Sequence, residues 1–162
     1  MEMRKLGASG VSVSTICLGT MMFGMRADAA TSQRITDMAR DAGVNFIDTA
    51  DVYSFGKSET ITGKIIKKHR HHWILATKVG NAFGADDPNQ KGLSRRWMHK
   101  SIDDSLKRLG VDHVDILYFH REDPHTDMAE SVRAIGDAIM AGKVRYFGIS
   151  NFRAWRHKIG RA

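Results

Sequence analysis

The chain has 162 residues, of which 42% are hydrophobic and 27% charged, and its formal net charge at pH 7 is +7. This composition is typical of one globular unit, and no apolar run approaches the roughly 20 residues that a membrane span needs. The single cysteine, Cys17, cannot form an internal disulfide, the start MEMRKLG lacks a secretory signal, and Lys and Arg are scattered along the chain. We therefore expect a cytoplasmic protein with no membrane or nucleic-acid partner.

Segments with strand and helix periodicity alternate along the chain. After a hairpin that turns at residues 8–10, the predicted strands are 15–19, 45–49, 73–79, 114–119 and 144–149. Four predicted helices lie between these strands, with inward faces formed by Ile35, Met38, Ala39 and Ala42; by Ile61, Ile65 and Ile66; by Met98, Ile102, Leu106 and Leu109; and by Val132, Ile135 and Ile139. Strands that alternate with helices predict a parallel sheet joined by right-handed crossovers.

Two architectures are built from this alternation, the open doubly wound sheet and the closed (β/α)8 TIM-type barrel. The first turn after a buried strand reads GTMMFG (residues 19–24), which does not fit the GxGxxG of an open dinucleotide-binding sheet, so the barrel is favoured. A full barrel takes about 250 residues. The sequence therefore predicts one partial barrel domain over residues 1–162, with about five strands, four helices and an N-terminal β-hairpin. Open sheet edges predict self-association of such a unit.

Polar side chains follow four consecutive predicted strands. They are Asp48 and Tyr53 after the second strand, Lys78 at the end of the third, His120 after the fourth, and Ser150 and Asn151 after the fifth. In a parallel barrel the carboxyl ends of all strands surround one rim. We therefore expect these side chains to meet in one pocket, although they are up to about a hundred residues apart in the sequence.

Three of these side chains, Asp48, Tyr53 and Lys78, suit proton transfer to or from a carbonyl oxygen. A phenol has an unperturbed pKa near 10. A neighbouring ammonium favours the phenolate, and a carboxylate keeps that ammonium charged and in place. His120 is placed to hydrogen-bond and orient the carbonyl oxygen. Because no nucleophile with a base beside it and no metal shell accompanies these residues, the pattern predicts hydride transfer with a soluble nicotinamide cofactor.

The tripeptide Gly56-Lys57-Ser58 looks like the end of a phosphate-binding loop. The GxxxxGK[ST] pattern needs a glycine at position 51, where the chain has Asp51. The sequence instead predicts that Gly56 turns the chain and that a helix begins at Lys57 or Ser58, with Glu59 in its first turn.

Five stretches form an ordered set along the chain: RKLGASGVSVSTICLGTMMFG, DTADVYSFGKSE, LATKVG, DILYFHREDP and GKVRYFGISNF. In this order they resemble the aldo-keto reductase family, and they cover the chain from Arg4 to about Trp155. The stretches HREDP and GKVRYFGISNFRAW are more similar to the bacterial oxidoreductase and potassium-channel beta-subunit-like branch of that family than to its mammalian aldose-reductase branch.

The resemblance implies a (β/α)8 barrel that an N-terminal hairpin closes at its base, with NADP(H) bound across the rim. It also implies reduction of aldehydes or ketones, or the reverse oxidation of alcohols. The catalytic tetrad that it implies is Asp48, Tyr53, Lys78 and His120, with Tyr53 as the general acid-base. The cofactor-binding residues that it implies are Thr20, Met21, Asp48, Ser150 and Asn151. NAD(H) is the alternative cofactor, and no metal is expected.

Members of the family continue through three more strands and four more helices. These elements bind the adenosine end of the cofactor and contribute to substrate specificity. The resemblance therefore predicts a reductase that is truncated at its carboxyl terminus. Two alternatives stay open. One is a weakly active or inactive fragment, and the other is a regulatory, redox-sensing protein like the channel beta subunits.

Overall fold

A computed structural model describes residues 1–82 and 87–153 of the chain, so the predicted end of the family resemblance at Trp155 lies outside the described residues. The strands are β1 (Met3–Lys5), β2 (Ser12–Ser14), β3 (Cys17–Gly19), β4 (Phe46–Asp48), β5 (Ile74–Val79), β6 (Val114–Phe119) and β7 (Val144–Ile149). The α-helices are α1 (Ala29–Asp41), α2 (Lys57–Ile66), α3 (Arg95–Leu109) and α4 (Met128–Met140). Two 3-10 segments, Tyr53–Gly56 and Lys67–His72, flank α2.

The strands form one parallel sheet and one hairpin. Strands β3, β4, β5, β6 and β7 lie side by side in chain order, and each connection between neighbours passes through a helix. Strands β1 and β2 pair separately as an antiparallel hairpin. The partial barrel of five strands and four helices with an N-terminal hairpin is thus confirmed. Within the described part of the chain, β3 and β7 each have one neighbouring strand, and self-association through these edges stays a prediction.

The hydrophobic core lies between one face of this sheet and the helices. Leu75 and Leu117 of the sheet belong to the same buried cluster as Met98 and Ile102 of α3. Successive residues of a strand point to opposite faces of the sheet. The side chains that alternate with the core residues, such as Lys78 of β5, therefore face the other side. The alternation therefore separates a packed face from a face that carries polar side chains at the carboxyl ends of the strands.

Helix α3 has the face that the sequence predicts. Its predicted inward residues Met98, Ile102, Leu106 and Leu109 are all buried. The Ser94 side chain accepts a hydrogen bond from the backbone N–H of Trp97 and so caps the first turn. Gly110 follows the last turn at a φ of 66°, a left-handed conformation that glycine adopts without strain. Local sequence signals therefore specify both ends of this helix.

The predicted inward face of α1 is wrong. Ile35 is 38% exposed and Met38 is 73% exposed, and the helix buries Ser32 and Thr36 instead. Both hydroxyls are satisfied within the chain, because Ser32 donates to the carbonyl of Ala27 and Thr36 donates to the carbonyl of Ser32. Burial of these small polar side chains therefore leaves no unpaired group, and the apolar stripe faces away from the described core. Of the predicted set, Ala39 packs against the core, whereas Ala42 is exposed.

The predicted faces of α2 and α4 are right only in part. In α4, Ile135 is buried, but Val132 and Ile139 are exposed, and Ala134 and Ala138 take their places against the core. Small alanines permit a closer approach of the helix than Val or Ile would. In α2, Ile66 is fully buried, while Ile61 and Ile65 are half-buried. The remaining buried residues of α2 are Ser58, Glu59, Thr62 and Gly63.

Gly63 marks a close contact between α2 and α3. A Cβ atom added at Gly63 would lie 2.0 Å from the carbonyl oxygen of Leu109 and 2.7 Å from its Cα. Because the obstacle is backbone, no side-chain rotation relieves it. We expect Gly63→Ala to destabilise the fold by about 1–3 kcal/mol, the usual range for overpacking, measured as a lower midpoint of urea unfolding.

Gly136→Ala in α4 is the matched control. An added Cβ at Gly136 meets no atom within 4 Å, so the same change should stabilise the helix by up to about 1 kcal/mol. Equal urea midpoints for the two variants would contradict the close approach of α2 and α3.

Within the described residues, none of the helices is both long enough and apolar enough to cross a membrane.

Candidate active site

Strand register brings Asp48 and Lys78 to the same face of the sheet. Asp48, the last residue of β4, pairs with Ala76 of β5. Lys78 is two residues beyond Ala76 and therefore points to the same side as Asp48. The Lys78 ammonium binds the carboxylate Oδ2 of Asp48, and both side chains lie at the carboxyl end of the sheet. The structure thus brings these two predicted site residues together.

The ammonium of Lys78 has three acceptors around it. Besides Asp48, Nζ donates to the carbonyl oxygen of Thr49 at 3.0 Å and to the phenolic oxygen of Tyr53 at 3.2 Å. An ammonium has three N–H donors, so each donor has one acceptor. The Lys78 side chain is buried, and the three contacts fix the ammonium in contact with the phenol. Burial raises the pKa of Asp48 above its usual value, although the nearby Lys78 ammonium acts in the opposite direction.

Tyr53 stands on a turn with unusual backbone geometry. Ser54 and Phe55 have φ values of 51° and 54°, in the left-handed region that L-residues other than Asn and Asp rarely adopt. The hydroxyl of Ser54 donates to the carbonyl of Phe23 at 2.9 Å and so ties the turn to the loop after β3. Strained backbone of this kind costs about 1–3 kcal/mol per residue and concentrates at functional sites. The turn presents Tyr53 to Lys78 directly after β4.

His120 lies beside Tyr53 at the end of β6. Its backbone N–H donates to the carbonyl of Val79 at 2.8 Å, which extends the strand pairing by one residue. The two rings meet edge to face with centroids 5.7 Å apart. The ring atom Nδ1 is buried and has no hydrogen-bond partner among the described residues. Burial, the Lys78 ammonium and the Arg121 guanidinium together lower the pKa of His120 to about 4, so the imidazole is neutral at pH 7.

The predicted cofactor-binding residues lie around the same rim. Asn151 donates from Nδ2 to the carbonyl of His120 at 2.9 Å and to the hydroxyl of Ser150 at 3.1 Å. Met21 follows β3 and is 49% exposed. The hydroxyl of Thr20 is fully buried, where it donates to the carbonyl of Asp48. The structure therefore brings Met21, Ser150 and Asn151 to the rim with reachable side chains, while the Thr20 side chain serves internal packing.

The GKS tripeptide is structural, as predicted. Gly56 has a φ of 81° and precedes α2, which begins at Lys57. Ser58 is fully buried and donates to the carbonyl of Thr20 at 2.7 Å, and its oxygen also lies 3.1 Å from the hydroxyl of Thr49. This hydroxyl cluster joins the loop after β3, the end of β4 and the start of α2. It therefore holds in place the segments on both sides of the turn that carries Tyr53.

Two buried carboxyl groups behind the rim went unrecognised in the sequence. Glu59 is fully buried and accepts hydrogen bonds from Thr77 Oγ1 and Arg108 Nε, each at 2.6 Å. Asp51 is 1% exposed, and neither of its carboxyl oxygens has a hydrogen-bond partner among the described residues. Burial, and then the charge of Glu59, raise the pKa of Asp51 to about 7. In the sequence, the only sign of the Asp51 carboxyl group was its position between Asp48 and Tyr53.

The fold and the rim together define a class of protein, a parallel (β/α)-barrel unit with a Tyr, Lys, Asp and His set at the carboxyl ends of its strands. The sequence model of the Aldo/keto reductase family matches residues 15–159. The chain belongs to the aldo/keto reductase family, and the resemblance seen in the motifs is confirmed.

Relatives and solved structures agree with this membership. The chain is 40% identical over 165 residues to the uncharacterized oxidoreductase YrpG of Bacillus subtilis (strain 168), which covers 96% of this chain and 51% of that protein. It is 40% identical over 158 residues to a probable voltage-gated potassium channel subunit beta of Arabidopsis thaliana, with 95% and 48% covered. The holo form of aldo-keto reductase AKR11C1 from Bacillus halodurans matches with a TM-score of 0.88 and 34% identity, over 98% of this chain and 53% of that one. The chain thus spans about half the length of the curated relatives it matches.

Proposed function

We propose that this chain reduces aldehydes or ketones to alcohols, or catalyses the reverse oxidation, with NADP(H) as the hydride carrier. The observation that carries the proposal is the position of the Lys78 ammonium, which binds the Asp48 carboxylate and donates to the phenol oxygen of Tyr53. This arrangement suits one task, the transfer of a proton between Tyr53 and a substrate oxygen.

Tyr53 is the general acid of the reduction in this proposal. It gives its phenolic proton to the carbonyl oxygen, and the phenolate that remains accepts the hydrogen bond from Lys78. Asp48 and the carbonyl of Thr49 hold the ammonium in place throughout. In the oxidation direction the same phenolate takes the proton of the alcohol. The three acceptors around Nζ therefore support a reversible proton transfer.

His120 orients the substrate. Because its imidazole is neutral at pH 7, one ring nitrogen carries a proton to donate and the other accepts. A neutral donor binds a carbonyl oxygen without giving up the proton, which leaves Tyr53 as the acid. The edge-to-face contact between the two rings keeps both groups at one point of the rim.

NADP(H), when bound, supplies the hydride that the reduction needs. Met21, Ser150 and Asn151 are the residues that would hold the nicotinamide end. Asn151 uses Nδ2 within the chain, and its Oδ1 accepts no hydrogen bond among the described residues, which suits the N–H of a carboxamide. The donor set thus fits a nicotinamide. The preference for NADP(H) over NAD(H) rests on the family alone.

Similarity to channel beta subunits favours a second candidate function. In it, the chain binds the nicotinamide cofactor and signals its redox state, and turnover is secondary. Many catalytic cycles on an aldehyde with excess NADPH would favour the reductase. A single turnover followed by retained oxidised cofactor would favour the sensor.

Titration of the tryptophan fluorescence with NADPH and NADH tests the proposal. We expect saturable quenching of the tryptophan emission by NADPH. Trp73 and Trp97 are buried in the described fold, so their emission comes from a low-polarity environment. Asn151→Leu should weaken this binding by removing the carboxamide contact. Quenching that never saturates, together with no consumption of NADPH in the presence of aldehydes, would contradict the proposed function.

A further inference from the structure

An arginine that has no partner among the described residues follows the catalytic histidine candidate directly. The guanidinium of Arg121 forms no hydrogen bond or ion pair with any described residue, and it borders two cavities that adjoin each other. The first has a volume of about 370 Å³ and is also lined by Asn81, His120 and Asn151. The second, of about 520 Å³, extends from there toward the start of α3 and includes Lys91. Arg121 therefore stands between the proposed reaction centre and a larger space beyond it.

Acidic groups that line these cavities are already engaged. Glu122 forms an ion pair with Arg153 at 3.1 Å. Asp123 accepts hydrogen bonds from the backbone N–H groups of Leu93 and His125, and from the hydroxyl of Thr126. Within the described residues, neither carboxylate forms an ion pair with Arg121.

The cavities therefore contain two cationic side chains that form no ion pair within the described part of the chain. Arg121 is one, and Lys91 is the other. Glu122 and Asp123 line the same space, but neither forms an ion pair with Arg121 or Lys91. A neutral substrate would leave the guanidinium of Arg121 solvated in the cavity, whereas an anionic one would complete its hydrogen bonds.

We propose that Arg121 is a specificity-determining residue that binds an anionic group, a carboxylate or a phosphate, carried by the carbonyl substrate. The inference rests on the proposed function and names its substrate class. A guanidinium presents paired N–H donors that match the two oxygens of such an anion. Because Arg121 adjoins His120 in the chain and shares a cavity with it, the anionic group lies a few bonds from the carbonyl carbon. The substrates are short oxo-acids or phosphorylated aldehydes.

Matched aldehydes test this inference. The ratio of kcat/KM is measured for para-carboxybenzaldehyde against methyl para-formylbenzoate, which has the same ring and no charge, with saturating NADPH. A charged hydrogen-bonded pair predicts a preference for the carboxylate of about 10- to 100-fold. Para-formylphenyl phosphate, as a third substrate, distinguishes a phosphate-selective site from a carboxylate-selective one.

Variants assign the preference to Arg121. Arg121→Gln should remove it through a higher KM for the charged aldehyde, while kcat/KM for the ester stays within about twofold. Arg121→Lys should restore part of it, because it keeps the charge and loses the planar fork. Arg34→Gln, the same change at an exposed position on α1, should leave the ratio unaltered. An equal ratio in the wild type and Arg121→Gln would overturn the inference and leave the reductase proposal standing.

A binding measurement separates the two proposals. If neither aldehyde is consumed, the proposed function fails, and saturation-transfer NMR with para-carboxybenzyl alcohol decides on the anion site alone. Binding by the wild type that Arg121→Gln loses and high salt weakens supports the site. Equal signals from both proteins, or none from either, overturn it.

Discussion

Tyr53→Phe is expected to lower the rate of NADPH-dependent aldehyde reduction by about 100- to 10,000-fold, the usual contribution of one general acid. The substitution removes the phenolic proton that Tyr53 gives to the carbonyl oxygen in the proposed mechanism. It leaves the aromatic ring in place. Because the edge-to-face contact with His120 involves the ring alone, packing at the rim should not change. The measurement is the decrease in NADPH absorbance with a fixed aldehyde.

The control for this loss is Tyr146→Phe. Tyr146 is a partly exposed tyrosine of β7 that lines a separate cavity with the N-terminal hairpin, and none of Asp48, Tyr53, Lys78 and His120 lines that cavity. Its variant should keep the wild-type rate. NADPH binding to Tyr53→Phe should also match the wild type, because the phenolic hydroxyl contacts Lys78 and none of the residues proposed to hold the nicotinamide. A Tyr53→Phe rate within tenfold of the wild type would remove Tyr53 from the role of general acid.

Strand ends could be predicted from the sequence because their signals are local. The predicted strands 114–119 and 144–149 coincide with β6 and β7 to the residue. In a parallel sheet, knowing the carboxyl ends is enough to know which side chains share a rim. Asp48, Lys78 and His120 could therefore be grouped without any knowledge of their distances.

Helix faces at the periphery could not be predicted in the same way. Periodicity identifies an apolar stripe, but the neighbours of the helix decide which stripe is buried. In α1 the buried residues are Ser32 and Thr36, whose hydroxyls donate to backbone carbonyls one turn earlier. A hydrophobicity pattern counts these residues as polar and assigns them to solvent. The stripe of Ile35 and Met38 was consequently placed on the wrong side.

Buried polar networks also escape a reading of the sequence. Glu59 looks like an ordinary acidic residue in the first turn of a helix, where the helix dipole favours it. Its actual partners, Thr77 and Arg108, are 18 and 49 residues away in the chain. Only the packing of α2 against β5 and α3 brings them together. The same packing isolates Asp51 from water.

Asp51 links the site to the stability of the fold. The pKa of its carboxyl is raised from 3.8 to about 7 by burial and by the charge of Glu59, while the backbone N–H of Val52 and the charges of Arg108 and Lys78 act in the opposite direction. In the unfolded chain the group loses its proton near pH 4, so the folded state holds an extra proton between about pH 4 and pH 7. Stability is therefore full below that window and falls as the pH rises through it. At 1.36 kcal/mol per pKa unit, the loss approaches about 4 kcal/mol.

Asp51→Asn should remove this loss, because the amide has nearly the same shape and never ionises. At pH 5, about one unit into this window, the variant should exceed the wild type in stability by only about 1 kcal/mol. At pH 8.5 the variant should be more stable by about 2–4 kcal/mol, or roughly 5–15 °C in Tm for a chain of this size. The measurement is thermal unfolding by circular dichroism across this pH range.

Asp41→Asn, at the exposed end of α1, is the matched control and should show no such pH-dependent gain. Comparing each variant with the wild type at the same pH cancels the titration of all other groups, so the difference isolates residue 51. A constant difference between Asp51→Asn and the wild type from pH 5 to pH 8.5 would mean that Asp51 ionises normally. The buried carboxyl would then need a partner or water molecule that compensates its charge. A gain that grows with pH would instead identify Asp51 as a carboxyl that the fold holds protonated directly behind Lys78, whose carbonyl accepts the backbone N–H of Asp51.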